Sequence, residues 1–92
     1  MRDLEFEWDK NKYEINIKKH GIFFEEASTV WMDSLALIAP DPEHSWQEER
    51  EWIIGESYKG RLLIVVYTIR NDKIRIISAR SATKNERRQY EQ

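Results

Sequence analysis

The chain has 92 residues, no cysteine and a net charge of −2. That length supports one domain with a single modest core, and the missing cysteines exclude disulfides and thiolate metal sites. No apolar run reaches membrane-spanning length, and Met1-Arg2-Asp3-Leu4-Glu5 lacks signal-peptide character, so a soluble, cytoplasmic domain over residues 1–92 is expected.

Leu4 to Trp8 alternates apolar and acidic residues, as a half-buried strand does. Asp9 is placed to cap a helix from Lys10 to about Lys19, which Gly21 would end. Phe24 to Asp33 reads as a second helix with Phe24, Ala27, Val30 and Trp31 on one face. Leu35 to Ala39 is a short apolar strand ending at Pro40, followed by an acidic exposed loop from Asp41 to Glu51. Strands over Glu51–Glu56, Leu62–Ile69 and Lys73–Ala79 follow, joined by short turns that require antiparallel neighbours. The middle one is apolar on both faces and belongs at the centre of the sheet. Thr83 and Glu86 form a capping box that opens a last helix. The order gives an α+β domain: two N-terminal helices, a mainly antiparallel sheet of four to five strands, and a C-terminal helix.

The near-neutral charge hides a split. Met1–Tyr58 carries six Lys/Arg against fourteen Asp/Glu, whereas Lys59–Gln92 carries nine against three. Halves of opposite sign suggest a polyanion-facing surface beside an acidic one.

On the first helix Lys12, Asn16 and His20 are four apart and form a polar stripe, with Lys19 beside it. His20 falls in the last turn, where the helix dipole is expected to raise its pKa. Read blandly, it is only a cap. Joined to Arg61, Arg75 and Arg80, however, the set meets the demands of metal-free RNA cleavage. There the 2′-hydroxyl attacks the adjacent phosphate, and the protein supplies proton transfer and fixed positive charge. Asp41, Glu43 and His44 are close in sequence but read as solvated loop residues, so neither metal nor cofactor is expected. Strand parity puts Arg75 and Arg80 on opposite faces, so they can share a site only if the strand ends or bends near Ala79. Trp8, Trp31 and Trp52 lie on periodic segments and read as core, leaving Trp46 as an exposed loop residue.

Several blocks together carry a resemblance: Phe6-Glu7-Trp8-Asp9 with Lys12, Asn16 with Lys19-His20-Gly21, Asp41-Pro42-Glu43-His44-Ser45, Arg61 to Thr68, and Arg75 to Arg80 with Glu86-Arg87 and Tyr90. The sequence resembles the BrnT-type toxins of bacterial type II toxin–antitoxin systems from about Phe6 to Tyr90. The resemblance implies a RelE-like fold and a ribonuclease that arrests translation. It also implies neutralisation by a small DNA-binding BrnA-type antitoxin, with which the toxin forms a hetero-oligomer and represses its operon, touching DNA only through that partner. It assigns catalysis to Lys12, His20, Arg61, Arg75 and Arg80, leaving base and acid unassigned among them. Lys19, Lys84 and Arg87 are expected to bind RNA, and Arg87, Arg88 and Trp46 the antitoxin. Ile69 stands where the family often has an acid, and Phe23 where it often has a small polar residue. The second reading is a non-catalytic or degenerate homologue acting as an interaction module in an antitoxin–DNA complex.

Overall fold

A computed structural model describes residues 3–44 and 48–92; Trp46 lies outside them. Five strands form one mixed sheet in the order β1-β5-β4-β3-β2, where β1 is Phe6–Trp8, β2 Leu37–Pro40, β3 Glu51–Glu56, β4 Leu62–Arg70 and β5 Lys73–Ser81. All neighbours are antiparallel except β1, which runs parallel to β5. The helices are α1, Lys10–His20, α2, Phe24–Ser28, and α3, Lys84–Glu91. This is the expected α+β order, with β1 as its one parallel pairing. Among the described residues no helix is long and apolar enough to cross a membrane.

The end signals of α1 and α3 act as their sequences dictate. Asp9 accepts the Lys12 amide at 3.0 Å, and Gly21 closes α1 in the left-handed region at φ 69°. Thr83 and Glu86 exchange both bonds of a capping box. The second helix is shorter than its periodicity suggests. After Ser28 it tightens into a 3-10 turn over Thr29–Met32, because the Ser28 and Thr29 hydroxyls each donate to a carbonyl three residues back at 2.7 Å. β2 also starts two residues later than expected. Asp33 accepts the Leu35 amide at 2.9 Å, folding Ser34-Leu35 into a turn before the strand.

One face of the sheet is sealed. Leu63, Val65 and Tyr67 of β4, with Ile74, Ile76 and Ala79 of β5, pack against Ile22, Phe24, Ala27 and Val30. The other face is covered only at one end, where α3 lays Tyr90 near Ile54, Leu62 and Ile64. Tyr90 also donates its hydroxyl to Asp33, pinning α3 to the rim of β3.

β5 carries the irregularity on which the open face depends. Tyr67 pairs with Ile76 but Val66 pairs with Ser78, so Ile77 is an extra residue and the strand bulges there. β1 stops pairing at Ile76, leaving the outer edge of β5 uncovered beyond it. Asn16 fills that gap from α1. Buried at 4 % exposure, it accepts the Ala79 amide at 3.0 Å and donates to the Ile22 carbonyl at 2.9 Å. It is therefore a structural clasp rather than a free member of a polar stripe. Asn16→Ala strands a buried N–H and a buried C=O and should cost about 3 kcal/mol. For a domain of this size that lowers the melting temperature by about 12 °C or more. A drop below about 4 °C would show that the clasp is dispensable.

Candidate functional site

The bulge is the bend that lets the two arginines share a face. Arg75 pairs with Thr68 and Arg80 with Ile64, positions of equal parity on β4, so both arginines share the open face. The change comes at Ile77, within the strand, and not at a strand end near Ala79.

On that face lies an open cavity of about 860 Å³, a volume within the range of small-ligand sites. Its floor is Trp52, Ile64, Val66 and Ile77, with Ser78 and Arg80 from β5. One wall is the α1 face formed by Lys12, Ile15, Asn16, Lys19 and His20, whose spacing is that of a single helix side. Asp41, Pro42 and Glu43 form the opposite rim, and Glu86 and Gln89 of α3 close one end. Trp52 is thus only partly buried and meets the cavity, where sequence periodicity placed it in the core. Asp41 and Glu43, read from sequence as solvated, also reach this site.

The structure brings Lys12, Lys19, His20 and Arg80 together. Of the other nominated residues that the structure describes, none lines the cavity. Arg61 is clamped by Glu26, its Nε donating at 2.9 Å and its terminal nitrogen closing the second arm of the fork. Ser57 adds a third bond to that carboxylate at 2.7 Å, and Glu26 itself is only 2 % exposed. The Arg61 fork, aided by Ser57, holds the Glu26 carboxyl below its ordinary range against the cost of burial. Arg75 sits one row beyond Val66 and pairs with Glu7 across the parallel strands at 2.8 Å. Lys84, Arg87 and Arg88 are exposed on α3, Arg87 facing Glu91 at 4.0 Å. Ile69 is 57 % exposed at the end of β4 and is not part of the cavity.

Arg80 is held by Glu86, each terminal nitrogen donating to one carboxylate oxygen at 2.8 Å, with a further bond to the Ser81 carbonyl at 3.2 Å. About two of the five N–H donors of a guanidinium remain for a ligand. His20 has its pKa lowered, not raised as its place in the helix suggested. Desolvation is the leading cause, followed by the positive charges of Lys19 and Arg80. A neutral imidazole beside three cations can accept a proton near neutral pH. Among the described residues no group of three His, Asp or Glu is arranged to hold a metal ion.

The Arg80 fork drives the Glu86 carboxyl down to about 2 from an ordinary 4.5. A depressed carboxyl pKa contributes stability above the unfolded value, which is lost as pH falls through the folded one. The domain should therefore hold its stability from pH 7 to about 5 and lose it as pH falls from about 4.5 toward 2. Glu86→Gln should be less stable at pH 7 and lose less on acidification, read by urea unfolding at stepped pH. An unchanged acid slope in the variant would contradict the assignment.

Residues 8–86 match the family model described as "Ribonuclease toxin, BrnT, of type II toxin-antitoxin system". The fold is similar to that of the Brucella abortus ribonuclease toxin BrnT, known from a 1.1 Å crystal structure, with a TM-score of 0.69 and 25 % identity. That similarity covers 89 % of this chain and 100 % of the Brucella chain. No curated protein sequence matches the chain. The family match spans every cavity-lining residue except Gln89, and the chain belongs to the BrnT family of ribonuclease toxins of type II toxin–antitoxin systems.

Proposed function

We propose that this protein is a cytoplasmic endoribonuclease that cleaves RNA without a metal ion and thereby arrests translation. The observation that carries the reading is the convergence of His20, its pKa lowered, with Lys12, Lys19 and Arg80 at one cavity. In this scheme the 2′-hydroxyl attacks the adjacent phosphorus in line. A proton leaves the 2′-oxygen, the 5′-oxygen of the next nucleotide departs and is protonated, and a 2′,3′-cyclic phosphate remains. Neutral His20 moves one of these protons. Lys12 and Arg80 stabilise the phosphoryl oxygens as charge builds on them, and Lys19 draws the strand in. Glu86 orients the Arg80 fork while leaving donors free. Asp41 and Glu43 place carboxylates on the far rim of the same cavity, and Glu43 is proposed to take part in the second proton transfer. Arg75 lies about 13 Å from Arg80 along the same face, given a strand rise of about 3.3 Å per residue, and meets a neighbouring phosphate. Arg61 acts through Glu26 on the fold and not on RNA.

A type II toxin implies an antitoxin. We take it to be of the BrnA type, DNA-binding, and joined with this chain in a hetero-oligomer that represses their operon. Its docking surface is the exposed basic side of α3, where Arg87 and Arg88 stand outside the cavity.

His20→Gln should lower cleavage of free RNA, assayed with EDTA present, by about 10²-fold while leaving the melting temperature unchanged. Full activity in the variant would return His20 to a capping role. Loss of wild-type activity in EDTA, restored by a divalent ion, would overturn the metal-free scheme. Reversing charge at Arg87 and Arg88 together should weaken antitoxin binding strongly and cleavage little, measured by calorimetry and by the same RNA assay. Equal loss of both would merge the docking surface with the active site.

A further inference from the structure

Trp52 occupies a position that the cleavage chemistry leaves unused. It is a large aromatic side chain on the cavity floor, in a site lined elsewhere by charged, polar and aliphatic groups and the His20 imidazole. The sheet register explains its placing. Trp52 lies opposite Val66 on β4, and Val66 opposite Ser78 on β5, so one cross-strand row runs indole, valine, hydroxyl across the floor. The next row runs Ile54, Ile64, Arg80. The indole packs against the cluster of Ile54, Leu62 and Ile64, which fixes its orientation while leaving part of it to the cavity.

We propose that Trp52 is a base-stacking residue that holds one unpaired nucleobase of single-stranded RNA beside the phosphate gripped by Arg80 and Lys12. The proposal rests on the ribonuclease reading and adds to it the subsite that positions the substrate. Two strands and one row separate Trp52 from Arg80, roughly 12 Å between backbones at the usual strand spacing and rise. Both side chains line the one cavity, so a nucleotide's base and phosphate would have to bridge only the gap between them. The aliphatic floor of Ile64 and Val66 continues the apolar surface beneath a base, and Ser78 and Gln89 supply uncharged hydrogen-bonding groups for its edge. One indole on the floor gives one stacked base, whereas duplex RNA would offer no free face to it.

The test uses 2′-O-methyl heptanucleotides of mixed sequence, which cannot be cleaved because the attacking hydroxyl is blocked. Each is made with a base removed at one position in turn, and binding is read by fluorescence anisotropy. For the wild-type protein one position should matter, its base removal weakening binding by about tenfold to a hundredfold. Trp52→Leu, which keeps apolar bulk without a π-face, should show that loss with the intact oligonucleotide and no further loss at the abasic position. Trp52→Phe should retain most of the affinity.

If no abasic position matters to the wild type while it still cleaves the matching all-ribose RNA, the base subsite is wrong and the ribonuclease reading stands. If the all-ribose RNA is not cleaved yet base removal and Trp52→Leu remain non-additive, the subsite stands and the cleavage reading falls. Additive losses overturn the subsite. So does displacement of the oligonucleotide by free adenosine monophosphate at comparable affinity, which would assign the pocket to a small nucleotide.

Discussion

Everything at the open face depends on how the outer edge of β5 is finished beyond Ile76. A strand edge with no neighbour leaves polar backbone groups to be satisfied, and here a side chain does it. The Asn16 amide takes the Ala79 N–H on one side and gives a proton to the Ile22 carbonyl on the other. One residue thereby fixes α1 against β5 and secures the loop that follows α1. The bulge at Ile77 lies just before this clasp and turns Arg80 to the face that α1 overlooks. Helix and bulge need each other: without α1 the extra residue would face solvent, and without the bulge Arg80 would point into the sealed core.

The second organising feature is charge pairing between distant parts of the chain. The acidic N-terminal half and basic C-terminal half do not form two separate surfaces so much as complement each other on folding. Glu26 clamps Arg61, Glu7 meets Arg75, and Glu48 reaches Arg70 at 3.0 Å. The Glu26 pair is the consequential one, because its carboxylate is buried and could not remain there unpaired. The Arg70 pair is exposed enough to contribute little. Arg80 differs in having its glutamate on the adjacent helix, which leaves it at the cavity with donors to spare.

Much of the fold was legible because it follows from local rules. Asp9, Gly21 and the Thr83–Glu86 box mark helix ends through bonds within a few residues of sequence. The apolar β4 sits centrally because both its faces are buried. The site was legible where it lies on one helix face, giving Lys12, Lys19 and His20, and at Arg80 through the resemblance. Strand parity set Arg75 and Arg80 on opposite faces, and only the bulge at Ile77 brings both to the open one. Arg61, nominated at the start of the central strand, is instead taken up by a glutamate thirty-five positions away. The apolar character of Trp52 fitted a core position and a cavity floor equally well, and only the register of β3 on β4 separates the two. The pKa of His20 is lowered because desolvation at the cavity, and then the charges of Lys19 and Arg80, oppose what the helix dipole alone would do.

The most direct measurement is a crystal structure of the protein with an uncleavable 2′-O-methyl RNA spanning the cavity. One phosphate should lie within hydrogen-bonding distance of the Arg80 guanidinium and the Lys12 amine, with the modified 2′-oxygen or the leaving oxygen facing the His20 imidazole. An RNA backbone that instead follows the sealed face or the exposed side of α3, leaving the cavity empty, would contradict it.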